Sequence, residues 1–287
     1  LDFFNSEAPQ TIDQNFPQLT RLTMSDSHSY QHPVAQLLLL KETTNWQDEW
    51  IDYSARYGLT TADVPELIRL SWDEQPLNCE ADEWAVHSLR AVIQLDPDVG
   101  LNLYLEQLQK FPDDDYLHEE ISGICQRVGA IAIDPLVRLM GDSTQHRWSR
   151  STAANGLEHI AKVYPECRET CVQASIEQLQ WYREEENNDF LNSTLADNLI
   201  QLKAVEASSL LAEVFENGEI DELLTGTWAA AQVELGLKQE SDFSPEELKP
   251  TLFNYFLANQ PVSKGFGSVK PGNKGKKEKK GKKKKKR

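Results

Sequence analysis

Apolar positions between Leu117 and Tyr164 recur with a helical period. Leu117, Ile121, Ile124, Cys125 and Val128 fall at i, i+4, i+7, i+8 and i+11, and Ala153, Leu157, Ile160, Ala161 and Tyr164 repeat those offsets. Each set is one stripe of a helix with about 3.6 residues per turn. Gly129-Ala130 interrupts the first helix, and Pro135-Leu136-Val137 opens a shorter one that ends near Met140-Gly141. The unit is a helix pair, and the same unit is legible on both sides of it.

Upstream, Pro33 suits the first turn of a helix carrying Val34, Leu37 and Leu38. Trp46 to Tyr57 is a second periodic stretch, closed by Gly58. Thr60-x-x-Asp63 resembles a capping box before Val64, Leu67, Ile68 and Trp72, with Pro65 harmless in the first turn. After a polar break from Asn78 to Asp82 come Ala85, Leu89, Val92 and Ile93, then Asp96-Pro97-Asp98, then Leu101, Leu105 and Leu108. Downstream lie Val172, Ile176 and Leu179, the linker Glu184 to Asp189, and Leu191, Leu195, Leu199 and Leu202. Lys203-Ala204 leads to Leu210, Leu211, Val214 and Phe215, and a last pair spans about Ile220–Leu224 and Trp228–Leu237. No strand-like alternation competes.

Aligned on their opening apolar residues, Ala85, Leu117, Ala153 and Leu191 are 32, 36 and 38 residues apart. That drifting period fits degenerate helical repeats. The fold class expected is all-α: an α-α superhelix, a HEAT/armadillo-like solenoid, over residues 33–259. Residues 1–32 and 260–287 are expected to be disordered, since polar and Lys-rich sequence buries too little to offset chain entropy. One core Leu contributes roughly 1.5–3 kcal/mol on burial, so contact between successive pairs holds such a stack together.

Within the central unit a specific pattern stands out. Gly129, Ala132, Pro135, Leu136 and Leu139, then Asp142, then Trp148-Ser149-Arg150-Ser151-Thr152-Ala153-Ala154, then Leu157 and Ile160 resemble HEAT-like repeats of the type named after phycobilisome lyases. More broadly, residues 33–237 resemble a bacterial family of HEAT-like proteins. Gly58-Leu59 through Pro65-Glu66-Leu67-Ile68-Arg69, Leu202 to Ala207, and Trp228 through Gln232-Val233-Glu234-Leu235-Gly236-Leu237 carry that likeness. The resemblance implies a superhelix and no assigned activity. The zinc-type ending of some relatives is absent, because no Cys follows Cys171.

Charge divides the chain in two. Residues 264–287 carry 13 of the 29 basic residues and one of the 46 acidic ones, a local +12; residues 1–263 keep 16 basic and 45 acidic, −29. Four cysteines (Cys79, Cys125, Cys167, Cys171) are too few for a disulfide framework. Cys125 reads as core, and Cys167 with Cys171 lacks neighbouring His ligands. The longest aliphatic run, Val34 to Leu40, is short of a span, no signal peptide is evident, and a cytoplasmic location is expected. Met24 is the first methionine, so residues 1–23 are expected to be upstream sequence or the remnant of a longer record.

Chemistry is sparse. His118-Glu119-Glu120 reads as acids and a His complementing a helix start. Asp113-Asp114-Asp115 reads as a cap and solvated loop rather than a cation site. Gly265-x-Gly267 lacks the strand and helix of a phosphate loop. No catalytic residue, cofactor or metal is nominated. Trp84 and Trp148, which open first helices, and Arg150 are the candidate partner-binding residues. Lys276, Lys277, Lys279, Lys280, Lys282, Lys283, Lys284, Lys285, Lys286 and Arg287 are candidates for polyanion contact. Three readings of the tail compete: a solvating extension, weak nucleic-acid or ribosome contact, and attraction to an anionic membrane or to the acidic body. The expected function is a non-catalytic protein-binding scaffold or adaptor. A phycobilin lyase-like enzyme or chaperone, and an RNA-associated accessory protein acting through its tail, are the alternatives.

Overall fold

The computed structural model describes residues 29–40, 49–73, 83–184, 187–218 and 220–249. Among them all regular structure is helical. The α-helices are α1 (Tyr53–Tyr57), α2 (Val64–Ser71), α3 (Trp84–Leu95), α4 (Pro97–Lys110), α5 (Asp115–Val128) and α6 (Ile133–Gly141). They continue as α7 (Arg147–Val163), α8 (Arg168–Leu179), α9 (Asp189–Gln201), α10 (Ser208–Glu216), α11 (Glu222–Thr225) and α12 (Trp228–Glu234). Phe253, Tyr255, Phe256, Leu257 and the Lys-rich tail lie outside the described residues, as do Met24, Trp46, Cys79 and the break at Asn78.

Packing follows chain order. α3 meets α2, α4 and α5; α7 meets α5, α6, α8 and α9; α9 meets α8, α11 and α12. One hydrophobic core runs through these contacts from Tyr30 to Leu235. The predicted stripes are its substance: Leu117, Ile121, Ile124, Cys125 and Val128 are buried, as are Ala153, Leu157, Ile160 and Ala161.

Short polar groups place the helix starts. Side-chain oxygens of Asp52, Asp96, Asp114, Asn188, Asp221 and Thr227 accept first-turn N–H groups of α1, α4, α5, α9, α11 and α12. The Asp63 carboxylate accepts the Thr60 N–H at 2.8 Å and its hydroxyl at 2.9 Å, within the capping box read from Thr60-x-x-Asp63. Gly58 ends α1 in the left-handed region, φ 71°, with its N–H on the Ser54 carbonyl. Gly100 has a different task. A Cβ there would lie 2.6 Å from the Ile93 Cα, so only glycine lets α4 fold back this tightly on α3.

Three boundaries differ from expectation. The helix expected over Trp46–Tyr57 is, within the described residues, only Tyr53–Tyr57, because the Asp52 carboxylate caps Ala55 and starts it there. Val34–Leu39 is a 3-10 turn instead of an α-helix. Residues 29–32, expected with the N-terminal segment, pack on α2. Tyr30 is buried, donates its hydroxyl to Asp73 at 2.7 Å, and lies under the Arg69 guanidinium at 4.2 Å.

Polar side chains tie the helices together where apolar stripes leave off. Gln107 donates to the Ser71 carbonyl at 3.2 Å, Ser149 to Leu108 at 2.9 Å, Arg150 Nε to Met140 at 2.7 Å. Those carbonyls belong to the last turns of α2, α4 and α6, whose own helices offer no partner. Trp84 Nε1 meets the Asp73 carbonyl and Asn192 the Tyr182 carbonyl, both at 2.9 Å, just past α2 and α8. Between α3 and α5 the Arg90 guanidinium and Glu120 carboxylate form a buried ion pair, with Arg90 Nε 2.8 Å from Glu120 Oε2. Both the Arg90 and the Arg127 guanidinium lie over the Trp50 ring, at 4.8 and 3.7 Å from its centroid.

Candidate functional site

Among the described residues, an open polar cleft of about 570 Å³ lies at the start of α7. Its walls are Gln109 at the end of α4, loop residues 143–146, Arg147 and Arg150 of α7, and Asn188, the N-cap of α9. Chain order makes the site. α4, α7 and α9 are brought to one edge by α5 and α6, and the α6–α7 loop forms the near rim.

The loop holds its shape around Asp142. Its carboxylate accepts the Thr144 N–H at 3.0 Å, the Thr144 hydroxyl at 2.7 Å and Gln145 Nε2 at 3.0 Å. Burial pushes this carboxyl up, but those bonds and the Arg150 charge outweigh burial and hold it below the usual carboxylate range. Asp142 is thus an ionised internal anchor. No carboxylate lines the cleft itself, although acids outnumber bases 45 to 16 over residues 1–263. Every lining side chain can donate a hydrogen bond. α7 also begins at His146 without a side-chain cap and without an acid in its first turn. The cleft therefore favours acceptor-rich, anionic groups.

The three residues nominated from sequence have different fates. Trp148 is half-buried beside the cleft, edge-on to the Phe190 ring with centroids 4.2 Å apart and the Arg147 guanidinium 5.1 Å from its own ring. Trp84 is half-buried, its N–H bound to Asp73. Arg150, expected to face a partner, is instead 2% exposed. Its guanidinium bonds Met140 and Asn187, so its role at the cleft is to fix the floor. The Lys-rich candidates lie outside the described residues.

Other motifs resolve into structure. His118 Nε2 is 2.8 Å from the Pro112 carbonyl, which can only accept, so that nitrogen carries a proton. Nδ1 meets the Thr152 hydroxyl at 2.5 Å. His118 therefore pins α5 to α7 in addition to standing near a helix start. Asp114 caps α5 through Tyr116 and Leu117. Cys125, Cys167 and Cys171 are buried free thiols, and burial pushes Cys171 up to about 11 and Cys125 further still. No group of three potential metal ligands and no helix long and apolar enough to cross a membrane occurs among the described residues.

Sequence reading missed the Asn187 hub. Asn187 is buried and donates to the Gln178 carbonyl at 3.0 Å and to Asn192 Oδ1 at 2.9 Å, while its own oxygen accepts from Gln178 at 2.7 Å. The only sequence signal was an Asn pair at a position read as a polar linker. The family resemblance stays outside what comparison supports: set against known protein families, curated proteins and solved structures, the chain matches none.

Proposed function

We propose that this chain is an α-α superhelix of HEAT/armadillo-like repeats, in the manner of the phycobilisome lyase-type repeat its central unit resembles, and that it works as a non-catalytic protein-binding scaffold. Repeat stacks present long edges and faces rather than one enclosed pocket. The neighbour-on-neighbour packing of α3, α5, α7 and α9 supports that reading. The observation that carries the binding role is the open, donor-lined cleft at the start of α7, with Trp148 next in sequence to its Arg147 and Phe190 two residues from its Asn188. An aromatic edge next to a guanidinium is a favoured anchoring arrangement for a partner.

A second reading has its own support. The +12 of residues 264–287 fits phosphate contact by counterion release, without the aromatics that would stack bases. One set of captures from source cells separates the two, with full-length chain, Arg147→Glu, and a chain lacking residues 264–287. The scaffold reading expects a protein partner lost with Arg147→Glu and kept without the tail. Partners lost only with the tail favour the polyanion reading. Capture unaffected by either change overturns both.

A further inference from the structure

The charge of the cleft at the start of α7 runs against that of the body around it. Two of its eight lining residues are arginines and none is an acid. Arg150 is 2% exposed and is held in place by the Met140 carbonyl and Asn187. Arg147 is exposed, and its guanidinium meets the Trp148 ring without an ion pair or hydrogen bond among the described residues. Asp142, next to Ser143, is taken up by Thr144 and Gln145 of its own loop. The cleft thus combines a fixed cation in its floor with an exposed one that no carboxylate neutralises.

Donors reach the cleft from three elements: the end of α4, the α6–α7 loop with the start of α7, and the start of α9. A carboxylate offers two oxygens in one plane and a single charge. A phosphate monoester offers three terminal oxygens and a charge of about −1.5 to −2 at pH 7. It can accept from several walls at once, and a guanidinium can grip it through two N–H groups. The ground just outside is acidic. Asp113 and Asp115 come a few residues after Gln109, Asp189 directly follows Asn188, and all three are exposed. Such a surround repels an extended polyanion and attracts basic residues. A lone phosphate between basic neighbours satisfies both zones.

Resting on the scaffold reading above, we infer that the cleft receives a phosphoserine or phosphothreonine of the protein partner, in a segment whose flanking residues are basic. Arg147 takes the phosphate, Arg150 supports it from the floor with its own position fixed, and Asp113, Asp115 and Asp189 face the basic flanks. The body's net −29 over residues 1–263 then serves selection: it turns away nucleic acid and anionic membrane, and admits a segment that is cationic apart from one phosphate. Binding is therefore switched by the partner's own phosphorylation state.

The test titrates the full-length chain by calorimetry with the peptide Lys-Lys-Gly-Ser-Gly-Lys-Lys, phosphorylated and plain, at about 150 mM salt. The phosphorylated form is expected to bind at least about tenfold more tightly. Arg147→Gln, which alters an exposed side chain, should erase that difference, whereas Lys162→Gln, at the far end of α7, should keep it. Equal binding of the two forms overturns the inference, and so does a difference that survives Arg147→Gln. Inorganic phosphate that displaces the phosphopeptide at equal concentration gives the cleft to a free oxyanion and overturns it too. Capture from source cells, with and without phosphatase treatment, separates this inference from the reading beneath it. A partner lost with Arg147→Glu but kept after dephosphorylation leaves the scaffold and removes the phosphate. Capture indifferent to Arg147→Glu removes the scaffold reading and the inference with it.

Discussion

Asp197 shows what one half-buried carboxylate does to this acidic protein. Burial raises its pKa first, Glu158 and Glu234 add repulsion, and the Gln201 hydrogen bond and Lys162 only partly offset them. A native value above the unfolded one means the folded state binds the proton more tightly. This destabilisation is absent below about pH 4, the unfolded carboxylate value. It sets in as pH rises from there through the raised native value. Asp197→Asn should therefore melt higher than the parent at pH 7, with the difference shrinking toward zero near pH 4. A difference independent of pH would place the effect elsewhere. The apolar residues of the core were legible one by one, since Leu157, Ile160 and Leu195 announce burial through spacing. The polar ones were not. Arg90 finds Glu120 and His118 finds Thr152 at separations of 30 and 34 residues, and no local pattern encodes such partners.

Between elements, the tightest join is the α3–α4 corner. Gly100→Ala sets a methyl against Ile93 backbone atoms at 2.6–2.7 Å, which cannot step aside as a flexible side chain could. It should cost about 1–3 kcal/mol, the usual range for overpacking, seen as a lower urea midpoint. Gly141→Ala is the contrast, because its new methyl meets only Gln178 Oε1 at 3.4 Å; its midpoint should stay close to the parent's. Sequence periodicity located the helices between Trp84 and Glu216 because each carries an apolar stripe. It did not find the 3-10 turns over Thr61–Asp63, Gly129–Ala132, Pro165–Cys167 and Val205–Ala207 that precede α2, α6, α8 and α10. Such turns are three or four residues long, too short to carry a period.

For the whole molecule the opposed charges of body and tail dominate. Each exposed Lys–carboxylate pairing is worth about 0–1 kcal/mol and is screened within about 8 Å at physiological salt. Many weak pairings from one tether should still make the body a competitor for its own tail. RNA binding measured at about 50 and 200 mM salt should rank the isolated segment 264–287 above full length, with residues 1–263 not binding. Equal affinity of segment and full length, or indifference to salt, would make the tail an inert extension. The charge asymmetry was plain in the sequence. The cleft was not, because Gln109, Arg147 and Asn188 are joined only by the packing of three separate helices.

The side chains that close earlier helices give the molecule an order in time. Leu108, in the last turn of α4, has a carbonyl that Ser149 reaches from α7, 41 residues later. At a synthesis rate of about 5–20 residues per second, that acceptor waits roughly 2–8 seconds for its donor to be made. Arg150 reaches back 10 residues to Met140, Asn192 10 residues to Tyr182, and Gln107 36 residues to Ser71. Each of these helices leaves the ribosome unfinished and is completed by one not yet translated, so a nascent chain stalled between Lys110 and Ser149 holds the α4 terminus open to water or to a chaperone.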